Sequence, residues 1–384
     1  MLKAYKYRLY PNKKQKELID KTFGCCRFVY NFSRATQKKE EDMYSLVKNM
    51  QQQGYPFEDY KSKFFKKFES VNAIKELKAY YSWLEEVDSI ALQSSIENLA
   101  NAYDKYYKKQ GGKPKFKSKK KNDVTSYTTK CVNNNIRING NYVILPKLKS
   151  VKVKAHIKFS GKIKKATISK TPTGTYYVSL TVDTTDVKPL EKTKQNVGVD
   201  LGIVDFATLS SGIKIANNHF TERQLKKLEK AQRKLSRKSI GSSNWEKAKL
   251  EVAKIHEKIV NQRKDFLNKI SYNLVKQYDI ICIEDLDVSA MKETDSNTRN
   301  MRVSDVSWYE FRRQLTYKCE WYGKTLSVID IYYPSSQICS CCGKRDKKKD
   351  VSIRKWICPN CKTELDRDIN ASVNILNEGL RILE

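Results

Sequence analysis

The segment CSCCGKRDKKKDVSIRKWICPNCKTELDRDINAS, residues 339–372, joins two cysteine pairs to an acidic cluster that opens a predicted helix. The C-x-x-C pairs, with residues 343–357 between them, have the spacing of a four-thiolate zinc ribbon. The predicted zinc ligands are Cys339, Cys342, Cys358 and Cys361. Cys341 could replace a neighbour, but the x-x spacing lets two sulfurs face one ion. A site saturated by four cysteines has no open position, so this zinc should stabilise the fold and not catalyse.

The composition indicates a nucleic-acid partner. Lys and Arg number 75 against 43 Asp and Glu, a net charge of +32 in 384 residues, which should attract a polyanion over much of the surface. The sequence has no run of about 18 apolar residues and no signal-like segment at its start. We therefore expect a cytoplasmic protein of two or three domains with no membrane partner.

The residue types limit the chemistry. Only three histidines are present, so a mechanism that depends on a histidine base has few candidates, whereas carboxylates, lysines and metal ligands are available. The ten cysteines occur in a chain without a secretion signal, so reduced thiols and a metal are expected rather than disulfides.

The first half of the chain combines a helical block with β-rich segments. Residues 1–10 alternate as an edge strand would, residues 13–108 are mostly helical, and a basic Gly/Pro loop follows at 111–122. One core-facing helical face is predicted from steps of three and four residues: Leu92, Ile96, Leu99, Tyr103 and Tyr106. Residues 125–186 are predicted to form a small β-barrel or sandwich. If the first strand joins it, the helical block is an insertion.

The second half has the element order of a ribonuclease-H-like core. Three strands begin with VGVDLG (197–202), two charged helices follow at about 220–238 and 245–277, and the apolar strand IICIEDL (280–286) comes next. A polar loop at 287–306, a helix and a last strand complete the order β-β-β-α-β-α-β. Several α/β folds satisfy this pattern.

Carboxylates mark three places in this half. Asp200 ends the strand VGVDLG and Glu284 ends IICIEDL. Asp366 and Asp368 open the last helix. Neighbouring strands present their carboxyl ends at one rim, and converging carboxylates repel unless cations lie between them. Alone, each acid is more simply a helix cap or a turn residue, and only their combination in a basic chain favours a metal-dependent nuclease.

The motifs GVDLG, IEDL and DRDINAS, with the cysteine pairs between the second and third, closely resemble the split RuvC-type nuclease of the TnpB proteins. These are transposon-encoded, RNA-guided DNA endonucleases related to compact type V CRISPR effectors. The opening MLKAYKYRLYPN is also typical of that family, so the resemblance covers the whole chain. It implies an α+β multidomain fold: a wedge-type β-barrel with an inserted helical recognition lobe, then an RNase H-like (RuvC) α/β nuclease core with an inserted four-Cys zinc ribbon.

The resemblance also implies domain boundaries and an activity. The implied domains are a wedge barrel at 1–10 and 123–190, a recognition lobe at 11–122, a RuvC-like nuclease at 195–337 and 363–384, and a zinc ribbon that binds target nucleic acid at 338–362. The implied activity is cleavage of target DNA next to a short flanking motif, by two-metal phosphodiester hydrolysis.

Carried over residue by residue, the resemblance makes Asp200, Glu284 and Asp368 the catalytic, metal-binding acids. Asp368 is preferred because it precedes Asn370 in a D-x-N-A pattern, and Asp366 is the alternative. The implied cofactors are two Mg²⁺ or Mn²⁺ ions, one structural Zn²⁺ and a guide RNA transcribed from the flanking element. Double-stranded target DNA is the implied substrate, and we expect a monomer.

Further residues are candidates for nucleic-acid contacts. The resemblance implies that Arg354 approaches the scissile phosphate and that Gln93 lies where the recognition lobe reads the flanking motif. A polar residue on a helix surface is the alternative for Gln93. Lysines of the basic loop and of the ribbon are assigned to phosphates: Lys113, Lys115, Lys117, Lys119 and Lys355.

Two other functions remain open. A guide-RNA-dependent DNA-binding regulator without cleavage would have lost the acids, and all three are present. A transposase-type strand-transfer enzyme would use the same acids without RNA, and no obvious helix-turn-helix domain is found. Mg²⁺-dependent cutting of an RNA-programmed target separates these functions.

Overall fold

The computed structural model describes residues 1–56, 64–119, 125–185, 187–287, 291, 297–347, 349–350 and 352–384. Parts of two predicted loops, at 111–122 and 287–306, therefore lie outside the described residues. The chain divides into two compact units, Met1–Asp186 and Val187–Glu384, and each has its own apolar core. Among the described residues, no helix combines the length and the apolar character needed to cross a bilayer.

The first unit contains helices and a seven-stranded sheet. Its described helices are α1 (Lys13–Gln52), α2 (Lys67–Tyr80) and α3 (Ser89–Tyr107), with a 3-10 turn at Ser82–Leu84. Its strands are β1 (Leu2–Tyr10), β2 (Ser126–Lys130), β3 (Arg137–Asn139), β4 (Tyr142–Leu145), β5 (Lys149–Lys154), β6 (Lys162–Lys170) and β7 (Tyr176–Asp183).

The first strand lies in the middle of this sheet. The strand order is β2-β6-β7-β1-β5-β4-β3, so β1 pairs antiparallel with β7 and β5, and the helices lie between β1 and β2 in sequence. Tyr5, Tyr7 and Leu9 are buried and alternate with exposed side chains, as predicted. The prediction of an edge strand is wrong, because alternation reports one solvated face and says nothing about strand neighbours.

The predicted barrel is not confirmed. Within the described residues, β2 and β3 are the two edges of the sheet and do not pair with each other. β3 has only three residues and pairs with β4 alone. A strand of three residues offers few backbone groups to a strand that would close the sheet into a barrel. The seven described strands therefore form an open sheet.

The predicted apolar face of α3 is present over most of its length. Leu92, Ile96 and Leu99 are fully buried and Tyr103 is 1% exposed, but Tyr106 is 37% exposed. The apolar periodicity of the sequence continues to the end of α3, but the buried core ends at Tyr103. The prediction that Tyr106 faces the core is therefore wrong.

The second unit contains a five-stranded sheet of order β10-β9-β8-β11-β12. β8, β9 and β10 are an antiparallel meander, and β11 is parallel to both β8 and β12. The strands are β8 (Asn196–Leu201), β9 (Asp205–Leu209), β10 (Lys214–Ala216), β11 (Ile280–Glu284) and β12 (Thr325–Ile329). The helices before the cysteine segment are α4 (Phe220–Ser236), α5 (Ser243–Gln277), α6 (Asn297–Val306) and α7 (Trp308–Tyr322).

One helix of this unit, α6, was not predicted. It lies in the segment expected to be a polar loop, and only Val303 and Val306 near its end are buried in the second core among its described side chains. Tertiary contacts hold its last turn: Asp305 accepts hydrogen bonds from the backbone and hydroxyl of Thr221 and from Arg263. Contacts with residues this distant are not visible in a local pattern.

The C-terminal part consists of two short hairpins and a helix. Ile338 bridges to Arg345, and β13 (Lys355–Ile357) pairs with β14 (Glu364–Asp366). These two cysteine hairpins lead into α8 (Arg367–Arg381). A Cβ at Gly198 of β8 would collide with the carbonyl of Ser372, so glycine in VGVDLG permits close packing of α8 on the sheet.

Candidate active site and cysteine cluster

Two of the predicted acids lie side by side at one rim of the second sheet. β8 and β11 are parallel neighbours in which Val199 pairs with Ile283, and Asp200 and Glu284 are the next residues on each strand. Parallel strands present their carboxyl ends at the same edge. The register therefore brings together two carboxylates that are far apart in sequence.

Two more acids, Asp366 and Asp368, lie at the start of α8, and their neighbours differ. Asp366 is the N-cap, and its carboxylate accepts hydrogen bonds from the backbone of Asp368 at 3.0 Å and Ile369 at 3.1 Å. It also pairs with Lys214 at 2.8 Å. Burial raises the pKa of Asp366, but the Lys214 and backbone hydrogen bonds outweigh burial and lower it. Sequence reasoning missed Lys214, for which no local signal exists.

Asp200, Glu284 and Asp368 line one cleft of about 950 Å³. Three arginines line it as well: Arg302, Arg354 and Arg367. Carboxylates bind hard cations and guanidinium groups bind phosphates. The cleft therefore has both kinds of group that metal-assisted phosphodiester chemistry requires. The structure places Asp366 outside the lining of this cleft.

The acids of the cleft hinder one another's ionisation. Burial, and then the charge of Asp368, raise the pKa of Asp200 to about 7. Burial, and then the charge of Asp200, raise the pKa of Glu284 to about 7. A divalent cation between these groups would favour their charged forms. The donor set therefore fits Mg²⁺ or Mn²⁺.

Arg354 joins the second cysteine hairpin to the cleft. Its guanidinium pairs with the carboxylate of Asp368 at 3.0 Å, and its carbonyl accepts a hydrogen bond from the backbone of Arg367 at 2.8 Å. The side chain of Arg354 is 50% exposed, so the ion pair contributes little stability and the guanidinium is open to an incoming anion. Sequence reasoning associated Arg354 with phosphate but did not foresee its pairing with Asp368.

The four predicted zinc ligands converge. All the Sγ atoms lie within 4.8 Å of one another in the cluster Cys339, Cys342, Cys358 and Cys361. Two of the separations, Cys339 to Cys361 and Cys342 to Cys358, are 3.6 Å and 3.7 Å. A tetrahedral zinc ion with bonds of about 2.3 Å places its sulfurs about 3.8 Å apart, so the cluster fits one Zn²⁺. Cys341 is exposed and is not part of the cluster.

Two buried asparagines of α8 anchor the first cysteine hairpin. Asn370 donates to the carbonyl of Ile338 at 2.7 Å and accepts from the backbone of Ser340 at 2.8 Å. Asn374 donates to the same Ile338 carbonyl at 2.7 Å. These bonds connect the cysteine cluster to the helix that carries Asp368. Sequence reasoning used Asn370 only as part of a motif and missed Asn374, although their i,i+4 spacing was an available signal.

The basic loop of the first unit is attached to α1. Asn31 bonds both backbone groups of Lys117, at 2.8 and 2.9 Å, and Lys113 pairs with Glu41 at 2.9 Å. Lys115 and Lys119 are exposed. Residues 113–117 of the loop are therefore tied to α1, and one of the predicted phosphate-binding lysines, Lys113, already has a carboxylate partner.

Two other candidates lie on exposed positions. Gln93 is exposed on α3 in the first unit, whereas the cleft belongs to the second. Lys355 is exposed at the start of β13 and approaches Glu364 at 3.7 Å. Both side chains are therefore accessible to a ligand from solvent.

Three family models match parts of the chain. One described as "Probable transposase" matches residues 178–295, and one described as "Cas12f1-like, TNB domain" matches residues 308–375. A third, described as "Helix-turn-helix domain", matches residues 1–40. The sequence analysis found no such domain, and the structure there has the strand β1 followed by the single helix α1.

Two curated relatives match along nearly the whole chain. A "Putative RNA-guided DNA endonuclease" of Streptomyces pristinaespiralis is 34% identical over 382 residues, which cover 98% of this chain and 89% of the relative. A "Putative RNA-guided DNA endonuclease InsQ" of Escherichia coli strain K12 is 31% identical and covers 100% of this chain and 93% of the relative.

A solved structure matches the fold over its full length. It is a chain of the Cas12f1–sgRNA–target DNA complex determined by cryo-EM, with a TM-score of 0.51, 13% identity, and coverage of 98% of this chain and 99% of that chain. Fold and site thus define a class, a mixed α/β multidomain protein that resembles Cas12f1 and has a four-cysteine cluster. The chain belongs to the TnpB, or IS605 OrfB, family, in agreement with the resemblance seen in its motifs.

Proposed function

We propose that this protein is an RNA-guided DNA endonuclease that hydrolyses a phosphodiester of target DNA next to a short flanking motif. The observation that carries the proposal is the cleft in which Asp200, Glu284 and Asp368, from three distant segments, lie together with three arginines. The names of the whole-length relatives support the RNA-guided part of the activity.

The three acids are the proposed ligands of two divalent cations. Mg²⁺ or Mn²⁺ bound there would supply Lewis-acid stabilisation of the attacked phosphate and the leaving oxygen. Asp200 and Glu284 hold their positions through the register of two parallel strands, and Asp368 through the first turn of α8. Asp366 is proposed to fix the start of that helix, because its oxygens are already bonded to backbone N–H groups and Lys214.

The arginines of the cleft are proposed to bind the DNA backbone. Arg354 pairs with Asp368, and its half-exposed guanidinium can bind a phosphate as a second partner. Because Arg354 lies at the edge of the second cysteine hairpin, a Zn²⁺ ion held by the four cysteines would keep this arginine in place. We assign the Zn²⁺ a structural role.

The second unit is proposed to be the RuvC-type nuclease with its zinc ribbon, and the first unit the wedge and recognition lobe. Gln93 is proposed to read the flanking motif, and the exposed Lys115 and Lys119 to contact phosphates of the guide or heteroduplex. Base pairing between the guide RNA and the target strand would supply sequence specificity, while the protein recognises backbone and shape.

The test is cleavage of an RNA-programmed target by the Asp200→Ala variant. We expect cutting in Mg²⁺ to be lost and guide-dependent DNA binding to be unchanged within about threefold, because the change removes a metal ligand and no phosphate contact. Asp265→Asn, at an exposed position of α5, is the matched control and should cut like the wild type. Cutting retained by Asp200→Ala would refute the site.

A second candidate, DNA strand transfer, is favoured only by the family model described as "Probable transposase" over residues 178–295. The same assay distinguishes the two functions through its products. Hydrolysis yields free DNA ends and requires the guide RNA. Strand transfer would join a donor end to the target and proceed without the guide.

A further inference from the structure

Helix α4 carries a row of cations on one side. Steps of three and four residues separate five cations, of which the last, Arg237, is the C-cap of the helix. We call this set the α4 stripe: Arg223, Lys226, Lys230, Arg233 and Arg237. This spacing places them on one helical face about 20 Å long. All five are exposed, whereas Leu228 and Ala231 on the opposite face are buried. The stripe therefore points away from the protein's own core.

Few acids offset the stripe. A groove of about 660 Å³ along it is lined by six cations and a single acid, Glu229. Arg233 approaches this acid only at 3.8 Å. For Lys226, Lys230 and Arg237, no described carboxylate lies within ion-pair distance. Like charges at these spacings repel and weaken a helix, so the stripe is destabilising in the absence of a polyanion.

The neighbouring helix α5 differs in its charge pattern. Acids are interspersed among the cations of α5, and pairs form within it, such as Lys249 with Glu246 and Lys269 with Asp265. A third acid of α5, Glu251, pairs with Lys234 of α4 at 2.9 Å. Mixed signs of this kind are typical of a helix face that is exposed only to solvent. The one-sided charge of α4 is therefore a local feature that the high net charge of the chain does not explain.

The stripe has the chemistry of backbone recognition. Lysine and arginine bind phosphates without reading sequence, whereas single strands also require exposed aromatic rings on which bases can stack. The aromatic residue of α4 is Phe220, which packs against Phe266 at the opposite end of the helix from Arg237. The stripe itself contains no ring, so a duplex backbone suits it better than a single strand.

We infer that the α4 stripe binds the phosphate backbone of a double-helical segment of the guide RNA. This inference rests on the proposed function, since only a guided nuclease carries such an RNA. The guide is favoured over target DNA because the charge of the stripe must be neutralised in the resting complex, before a target arrives. The guide is the polyanion present at that stage.

The experiment compares two triple variants that each remove three positive charges from exposed positions on one helix or its C-cap. The stripe variant combines Lys226→Gln, Lys230→Gln and Arg237→Gln. The control variant, on α5, combines Lys254→Gln, Lys258→Gln and Lys276→Gln. Glutamine keeps helix propensity, and the stripe variant should be at least as stable as the wild type because repulsion is removed. Guide RNA affinity is measured as a function of salt concentration.

For the stripe variant we expect guide RNA to bind at least about tenfold more weakly at 0.2 M salt, with a log–log salt slope smaller by about 2 to 3. The control variant should change the slope by less than about 1. Lys226→Gln alone should give an intermediate change. Target binding by complexes already saturated with guide should remain unchanged.

Equal effects of the stripe and control variants would overturn the inference. Unchanged guide binding with weakened target binding would overturn it too, and would assign the stripe to DNA. Failure of the wild-type protein to load a guide or to cut would refute the proposed function itself. That result needs neither variant and is therefore distinguishable from failure of the stripe alone.

Discussion

Asp366 and Asp368 are two residues apart at the start of α8, yet their environments differ. Asp366 is bonded to two backbone N–H groups and to Lys214, and these contacts hold the helix start. Asp368 lines the cleft, where it forms an ion pair with the half-exposed Arg354. An acid with so few fixed partners is the better candidate for a metal ligand.

The raised pKa of Asp200 predicts a stability effect that depends on pH. The pKa of Asp200 is about 7 in the folded protein, whereas its usual value is 3.8. The folded state therefore binds this proton more tightly than the unfolded chain does. The resulting contribution to the free energy of unfolding is fully present below about pH 4 and is lost as the pH rises through 7. In Mg²⁺-free buffer, Asp200→Asn should therefore melt higher than the wild type at pH 8 and about equally at pH 4. Thermal unfolding across this pH range measures the difference.

Mg²⁺ should remove this difference in melting temperature between Asp200→Asn and the wild type. The ion compensates the negative charges in the wild type, whereas the variant has lost one of the ligands that would bind it. Asp265→Asn, an exposed acid on α5, controls for the loss of one negative charge and should show no pH-dependent difference. A gap between Asp200→Asn and the wild type that is constant with pH would contradict mutual repulsion among the acids.

At the residue scale, the motifs indicated which acids are candidates for the site, whereas the partners of those acids were not predictable from the sequence. Asp200 and Glu284 each end an apolar strand, a pattern visible in the sequence. The contact of Lys214 with Asp366 joins residues 152 positions apart. No local preference specifies such a pair, since it depends on how α8 sits on the sheet.

At the scale of elements, α8 links the acidic cleft to the cysteine cluster. Its first turn presents Asp368 to the cleft, and Asn370 and Asn374 bind the first cysteine hairpin. A Cβ at Gly198 would collide with the backbone of α8, which keeps the helix close to the strand of Asp200. Disorder in the cysteine hairpins should therefore affect the cleft.

Two cysteine variants test this link. Cys358→Ser should reduce zinc from one ion per chain to none, lower the melting temperature and reduce cutting at least about tenfold, since removal of a structural metal unfolds its site. Cys341→Ser is the matched control, because Cys341 lies outside the cluster. Zinc content by mass spectrometry, thermal unfolding and target cleavage are the measurements.

Cys341→Ser should retain zinc and cutting. Zinc lost in this control but kept in Cys358→Ser would mean that Cys341 is a ligand. Full cutting by zinc-free Cys358→Ser would show that α8 holds the cleft without the cysteine hairpins.

Element predictions succeeded where one face of an element carried the signal. The alternation of β1 and the stripe of α3 as far as Tyr103 are both present. The central position of β1, the open edges at β2 and β3 and the existence of α6 were not predicted. Strand neighbours and tertiary hydrogen bonds decide these features, and neither leaves a periodic pattern.

At the scale of the whole molecule, the net charge of +32 means that the protein will collect polyanions. We predict that, when the gene is expressed with its flanking DNA, one structured RNA that maps beside the gene dominates the RNA copurified at about 0.5 M salt. High salt screens nonspecific electrostatic binding, whereas a complex with one specifically recognised, structured RNA should persist. Sequencing of the copurified RNA is the measurement.

A version of the experiment without the flanking DNA is the control, and it should yield a mixture of cellular RNA. The same mixture in both preparations would indicate nonspecific polyanion binding and would count against guided recognition.

The sequence by itself determined the family, the charge and the four-thiolate motif, because each is carried by residue types at defined spacings. It also indicated the candidate acids, with Asp366 left as the alternative to Asp368. Only the tertiary structure decided which acids share a cleft and which cysteine stays out of the cluster. It also decided that Asn370 and Asn374 connect the cysteine cluster to the helix of Asp368. Strand register, helix docking and hydrogen bonds between distant segments settle these points, and they exist only once the chain has folded.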